Sequence, residues 1–159
     1  MSRIHHRAAA FYALASGLTI SCVAWADHDA ATMKHVAPTE IQWRDAPNMS
    51  GIKVAVLSGD PRQAGPYTIR VKFSPGAMSR PHTHPEERLV TVISGTWYAG
   101  AGEKFDPEIT VPMPTGSFVT HFPGKPHFDG AKTEEVIVQI SGIGPSATNY
   151  VHPEDAPAK

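Results

Sequence analysis

The stretch Gly76-Ala-Met-Ser-Arg-Pro-His-Thr-His-Pro-Glu-Glu-Arg-Leu-Val-Thr-Val-Ile-Ser-Gly95 joins a histidine pair to an apolar run that ends at a glycine. In a strand, residues i and i+2 project from the same face with Cα atoms about 7 Å apart, so His82 and His84 can both reach one cation. By itself the pair also fits a half-exposed polar face. The run Leu89 to Ile93 predicts a strand, and Gly95 predicts the turn that ends it.

Similar short runs lie on both sides of this stretch. Between residues 67 and 73, Tyr67, Ile69, Val71 and Phe73 alternate with polar residues, which predicts a half-buried strand. Further short strands are predicted at Ile52–Leu57, Thr96–Ala99, Ile109–Val111, Ser117–His121, Glu135–Ser141 and Ala147–His152. Because no 12-residue stretch has a helical period, we expect an all-β, antiparallel sandwich or barrel.

A second motif follows 21 residues after Gly95: Gly116, five residues, Phe122-Pro-Gly124, two residues, then His127. The two motifs, in this order and at this interval, resemble those of the cupin superfamily. The resemblance covers about Ser50 to Tyr150, and the run from Pro81 to Tyr98 resembles the small single-domain bacterial cupins. It implies an antiparallel double-stranded β-helix, or jelly roll.

The resemblance also implies one divalent metal inside the barrel, held by His82, His84 and His127. Three neutral imidazoles suit Fe, Mn, Ni, Zn or Cu and leave coordination positions open for a substrate or oxygen. The sequence departs from the family pattern at three positions. Arg88 stands where the usual glutamate ligand would be, Phe122 replaces the usual proline, and Ala131 replaces the usual asparagine.

Arg88 has the strand parity of His84, which directs a guanidinium toward the expected cation. Three arrangements resolve the repulsion between the two charges. In the first, Glu86, or Glu87 after a bulge, completes the metal site and pairs with Arg88. In the second, Arg88 binds the carboxylate of a small ligand. In the third, Arg88 turns outward toward Glu103 or Glu108. His121 is interpreted as a core or rim histidine more readily than as a fourth ligand.

The first 26 residues have the three parts of a cleavable signal peptide. Arg3 and Arg7 precede the nearly uncharged run Ala8–Val23, and Ala24-Trp-Ala26 ends it. An uncleaved membrane anchor and a lipidated Cys22 are the alternatives. We therefore expect a periplasmic or secreted protein with no membrane attachment after cleavage. Residues 27–45 are predicted as a flexible arm, 46–152 as the barrel and 153–159 as a tail.

Composition excludes several classes of function. Without the leader, 12 basic residues face 15 acidic ones and no basic cluster is present, so nucleic acid is not an expected partner. The only cysteine, Cys22, lies in the leader, which leaves no disulfide in the mature chain. No nucleophile-elbow or phosphate-binding motif is present, which gives hydrolase and nucleotide hypotheses no support.

The sequence therefore favours an exported metal-binding cupin that acts on a small organic acid or enol. Dioxygenation, isomerisation and decarboxylation are the reaction types considered, with catalytic residues unassigned. The first alternative is a cupin that binds or senses a small ligand without chemistry. The second is a structural role for the metal. A homodimer is expected by analogy with other jelly rolls.

Overall fold

Eleven β-strands and three single-turn 3₁₀ helices form the part of the chain that this computed structural model describes, residues 32–47 and 49–156. The strands are β1 Arg44–Asp45, β2 Ile52–Ser58, β3 Gly65–Phe73, β4 His82–Thr83, β5 Arg88–Ser94, β6 Trp97–Ala101, β7 Val111–Met113, β8 Phe118–His121, β9 His127–Gly130, β10 Val136–Gly144 and β11 Asn149–Tyr150. The 3₁₀ helices are Pro38–Glu40, Pro107–Ile109 and Pro153–Asp155. The predicted signal peptide lies outside the described residues. Within the described ranges, no helix has the length and apolar character needed to span a membrane.

The strands form two antiparallel sheets. The six-stranded sheet has the order β1-β2-β3-β10-β5-β8, and the five-stranded sheet has the order β11-β4-β9-β6-β7. Every described pairing is antiparallel, and neighbours in a sheet are often distant in sequence, as for β3 and β10. The all-β, antiparallel, two-sheet architecture expected from the sequence is confirmed.

The core lies on one face of the six-stranded sheet. In β3 the residues Tyr67, Ile69, Val71 and Phe73 are buried and alternate with partly exposed residues, as the sequence pattern predicts. Val136, Val138 and Ile140 of β10 are buried in the same cluster, together with Trp97 of the five-stranded sheet. Burial of each large apolar side chain stabilises the fold by about 1.5–3 kcal/mol, so this cluster fixes which face of β3 is internal.

Two glycines allow close approaches that a side chain would prevent. Gly95, in the turn from β5 to β6, has φ 74°, and a Cβ there would lie 2.5 Å from the carbonyl oxygen of Glu135. At Gly100 in β6, a Cβ would lie 2.3 Å from Cζ of Phe128, whose ring packs against the bare backbone. The turn predicted at Gly95 is therefore present.

The structure differs from the sequence prediction in three short segments. The run Ile109–Val111 divides into the end of a 3₁₀ helix and the start of β7, which tolerates Pro112 because it is an edge strand. Of the predicted strand Ala147–His152, only Asn149–Tyr150 pairs, with β4. Inside the predicted arm, β1 pairs with β2, so sheet structure begins two residues before the expected barrel boundary.

Candidate metal centre

Three histidines converge between the sheets. His82 is in β4, His84 follows that strand, and His127 begins β9, where it is the direct cross-strand partner of His82. All three are buried, with 3–7% of their surface exposed. One ligand atom from each lies within 4.8 Å of the others. The structure thus brings together the three histidines that the two sequence motifs indicated.

Each of these imidazoles is held by its Nδ1 atom. Nδ1 of His82 donates to the carbonyl oxygen of Arg80 at 2.7 Å, and Nδ1 of His84 donates to that of Ala147 at 2.7 Å. Nδ1 of His127 donates to the carbonyl oxygen of Lys125 at 3.0 Å. Since the proton is on Nδ1, the lone pair of each neutral ring is on Nε2. Backbone anchors of this kind fix the tautomer and orientation of metal-binding histidines.

Burial keeps the imidazoles neutral. It lowers the pKa of His84 to about 2, and the adjacent Arg88 guanidinium and the neighbouring rings contribute to the shift. The pKa of His82 is also lowered, mainly by burial, with a smaller opposing effect from the Asp129 carboxylate. Neutral imidazole is the form that binds a metal, so both rings are ready to coordinate without first losing a proton.

Arg88 points into the space beside these rings. Its Nε donates to Oε1 of Glu86 at 2.9 Å, and its Nη1 donates to Nε2 of His84 at 3.0 Å. Nη2 donates to Oγ of Ser146. Arg88 thus pairs with Glu86, as in the first of the three predicted arrangements, and the outward orientation toward Glu103 or Glu108 is wrong. The guanidinium can stay inside because the carboxylate of Glu86, two residues away, neutralises its charge.

The two glutamates proposed as further ligands occupy different environments. Glu86 accepts hydrogen bonds from Arg88 and from the Tyr67 hydroxyl, the latter at 2.9 Å. Burial alone would raise the pKa of Glu86, but hydrogen bonds from Ser146, Arg88 and Tyr67 outweigh it and lower the pKa. Glu87 is exposed. Among the described residues, the converging ligand atoms belong to neither glutamate.

Two further side chains reach the cluster, and sequence reasoning undervalued or missed them. The ring centroid of His121, at the end of β8, lies 3.8 Å from that of His127. Burial, with smaller contributions from nearby groups, lowers the pKa of His121 to about 4. Asp129 is buried, and its Oδ2 lies 3.9 Å from Nε2 of His127. Asp129 follows His127 by two residues in β9, so the spacing that drew attention to the first histidine pair could have identified it.

A cavity of about 420 Å³ opens beside the histidines. One part of its wall is polar and includes His82, His84, His121, Arg88 and Asp129. Another part is apolar and comes mainly from the six-stranded sheet, with Ile69, Val71, Phe73, Val138 and Ile140. A cavity with a cation, imidazoles and an apolar wall suits a small ligand that has one anionic end and one apolar end.

Two antiparallel sheets enclosing a histidine cluster and a cavity are the architecture of a cupin. Residues 31–145 match the family described as the ChrR Cupin-like domain, and the chain belongs to this family. The cupin jelly roll predicted from the two motifs is therefore confirmed. No curated protein sequence gives a significant match.

Solved structures with the same fold include enzymes. The polyketide cyclase RemF from Streptomyces resistomycificus has a TM-score of 0.63 at 17% identity, over 76% of this chain and 86% of that one. KdgF from Halomonas sp. has a TM-score of 0.55 at 16% identity, over 71% of this chain and 96% of that one. The DMSP lyase DddQ from Ruegeria pomeroyi DSS-3 has a TM-score of 0.59 at 18% identity, over 72% of this chain and 62% of that one. At these identities the likeness establishes the fold and not the activity.

Proposed function

We propose that this protein is an exported cupin that binds one divalent transition metal through His82, His84 and His127 and acts on a small organic acid or enol. The observation that carries the proposal is the common tautomer of the three rings. Each Nδ1 donates to a backbone carbonyl, so the three lone pairs are on the Nε2 atoms, where that of His84 also accepts from Nη1 of Arg88. Nε2 of His127 supports this assignment because it is buried without a hydrogen-bond partner.

The donor set fits Fe, Mn, Ni, Zn or Cu, as neutral imidazoles bind all of these ions. Such an ion supplies Lewis acidity that polarises an oxygen of the substrate. Arg88 has two roles in this proposal. Its Nη1 donates to Nε2 of His84, whose lone pair an incoming ion would also need. Metal binding there therefore requires that Nη1 leave that atom. The freed N–H group can then donate to the carboxylate of a substrate, while Glu86 keeps the guanidinium in place.

The cavity wall supports a substrate with an apolar body. The buried apolar side chains of β3 and β10 face the same space as Arg88 and the histidines. Exclusion of water by these side chains strengthens the interaction between the guanidinium and a carboxylate. A short acid with an aliphatic or aromatic body would satisfy both parts of the wall.

Metal content tests the proposal directly. Mature protein purified without chelator should contain about one equivalent of a transition metal, and His82→Ala should retain less than about a tenth of that. His152→Ala is the matched control, because this histidine bonds the carbonyl oxygen of Glu103, outside the cluster. If wild-type protein takes up no metal when transition-metal ions are supplied, or if His82→Ala and wild type have the same metal content, the proposal is wrong.

A binding or sensing role without chemistry is the second candidate. It is favoured by Arg88, a cation that occupies the position of the usual glutamate ligand and already holds three hydrogen-bond partners. Incubating the metal-loaded protein with a panel of small carboxylates separates the two roles. Product formation supports the enzyme, whereas tight binding of an acid that is recovered unchanged supports the sensor.

Export and pairing complete the proposal. The basic start, apolar run and Ala24-Trp-Ala26 support cleavage after Ala26, so N-terminal sequencing of the periplasmic protein should begin at Asp27.

We also propose a homodimer. Phe118 on the edge strand β8 is 62% exposed, and an unpaired strand edge with an apolar side chain is suited to pairing with a second copy. A monomer in light scattering at micromolar concentration would contradict this.

A further inference from the structure

A second group of metal-binding side chains shares His127 with the three-histidine group. It consists of His121, His127 and Asp129, and one ligand atom from each lies within 4.8 Å of the others. His121 comes from the six-stranded sheet, whereas His127 and Asp129 are both in β9 of the five-stranded sheet. An ion held by this group would therefore connect the two sheets.

The contact between His127 and Asp129 places two hydrogen-bond acceptors opposite each other. Nδ1 of His127 donates to the carbonyl oxygen of Lys125, so Nε2 presents a lone pair. Oδ2 of Asp129 lies 3.9 Å away, and both side chains are about nine-tenths buried. Nε2 of His127 is buried without a hydrogen-bond partner, and it faces the carboxylate of Asp129, which lines the cavity. A buried acceptor without a donor is costly, and a cation between Nε2 of His127 and the Asp129 carboxylate would satisfy it.

The distance between Nε2 of His127 and Oδ2 of Asp129 indicates whether that cation is a proton or a metal ion. A charge-assisted hydrogen bond between nitrogen and a carboxylate oxygen is about 2.7–2.9 Å long, so 3.9 Å is too great for a shared proton. Two ligands at about 2.1 Å from one ion can lie as much as about 4.2 Å apart. The observed distance fits a shared metal.

The charges around the centre favour a carboxylate ligand. A divalent ion on three neutral imidazoles would be close to the Arg88 guanidinium, which donates to His84. Glu86 neutralises Arg88, to which it is paired at 2.9 Å, and is not a member of either ligand group. Asp129 is the one carboxylate in the two groups, so it is the residue that can lower the charge of the metal itself.

We propose that Asp129 is the carboxylate ligand of this metal centre and that His121 coordinates beside it, with the ion sharing Nε2 of His127. The proposal rests on the metal binding described above and assigns two ligands that the cupin motifs do not. Because one lone pair binds one ion, the two groups hold a single metal between them. Asp129 thus supplies from β9 the negative charge that is missing at position 88.

Cobalt(II) binding by metal-free protein tests this assignment, since the visible absorption of Co²⁺ reports its ligands. Asp129→Asn should weaken Co²⁺ affinity at least about tenfold and change the absorption spectrum. Asp129→Glu, which keeps the carboxylate, should restore much of both. Asp45→Asn is the matched control, because Asp45 pairs with Lys53 on an exposed edge, and it should behave as wild type.

The outcomes separate this inference from the proposed function. If wild-type protein binds neither Co²⁺ nor Zn²⁺, both are wrong. If wild type binds Co²⁺ and Asp129→Asn keeps its affinity and spectrum, only the role of Asp129 is wrong. Should either Asp129 variant fail to fold, a crystal structure of zinc-loaded wild type decides. An Asp129 oxygen within about 2.2 Å of the ion supports the assignment, and an ion bound by His82, His84 and His127 alone overturns it.

Discussion

Glu86 and Arg88 form an ion pair in which each side chain keeps only about a tenth of its surface exposed. Strand β5 begins at Arg88, and Glu86 lies two residues before it, so the pair closes over a short span of backbone. Tyr67 supplies a further donor from β3. Because the second oxygen of Glu86, Oε2, is buried without a partner, this carboxylate depends strongly on the groups that bond Oε1.

Replacing Arg88 should therefore be costly. Arg88→Met leaves the Glu86 charge buried with neutral donors only, and we expect the free energy of unfolding in urea to fall by about 2–3 kcal/mol. The double variant Glu86→Gln, Arg88→Met removes both charges and should be more stable than the sum of the two single variants predicts.

The control for this prediction is an exposed ion pair. Arg62 bonds Asp60 at 2.9 Å, but its side chain is 83% exposed, so Arg62→Met should lower stability much less than Arg88→Met. If Arg88→Met lowers the free energy of unfolding no more than Arg62→Met does, the buried ion pair stabilises the protein no more than an exposed one.

The sequence indicated some site residues and not others, for a physical reason. His82, His84 and His127 were indicated because strand parity and the cupin motifs place each on an inward face. The partner of Arg88 remained open among three arrangements, since parity fixes the face of a strand but not the rotamer of a long side chain. Asp129 was missed although it has the parity of His127.

At the scale of elements, the contact between β6 and β9 depends on one missing side chain. Gly100 pairs with Phe128 across the two strands, and the phenyl ring, which is fully buried, lies over the glycine. Phe105 meets the same ring edge-on, with centroids 5.4 Å apart. The close packing keeps β9 in register, and β9 carries His127 and Asp129.

Gly100→Ala should disturb this packing. The added Cβ would lie 2.3 Å from Cζ of Phe128, so the ring or the strand must move, at a cost of about 1–3 kcal/mol. We expect a lower melting temperature and, because β9 shifts, weaker metal binding. The double variant Gly100→Ala, Phe128→Ala removes the clash and serves as the control: if its loss equals the sum of the two single losses, the two residues are not coupled.

Strands could be predicted where polar and apolar side chains alternate along them. They could not be predicted where the strands are only two residues long. The burial of β3 follows its sequence pattern residue by residue, and Gly95 ends β5 at the expected turn. Strands β1, β4 and β11 have two residues each, too few for a period, and they exist because neighbouring strands offer them hydrogen-bond partners. Their positions are therefore set by tertiary structure rather than by local sequence.

For the whole molecule, the buried histidines make the stability of the metal-free protein depend on pH. The folded pKa of His84 is lowered to about 2 and that of His121 to about 4, with burial the main cause in both, and burial also lowers the pKa of His82. Unfolded imidazoles take up protons below their ordinary pKa of 6.5, whereas the folded ones do not. Acid therefore favours the unfolded state.

The free energy of unfolding of chelator-treated protein should fall as the pH decreases from 7 to 5. Each imidazole contributes a slope of up to about 1.4 kcal/mol per pH unit below its unfolded pKa. Urea unfolding at several pH values measures this slope, and His121→Phe should reduce it by the share of one group. A metal-free protein whose stability is the same at pH 7 and pH 5 would contradict the prediction.

The segment between β10 and β11 touches the centre twice through consecutive residues: Ser146 bonds the guanidinium, and the Ala147 carbonyl holds an imidazole. This segment belongs to neither sheet. Insertions or substitutions there would change both the position of the Arg88 charge and the orientation of the His84 ring, while every strand stayed intact. Divergence of chemistry among related proteins can thus begin in a connecting loop, and surveys that compare only the coordinating side chains would overlook it.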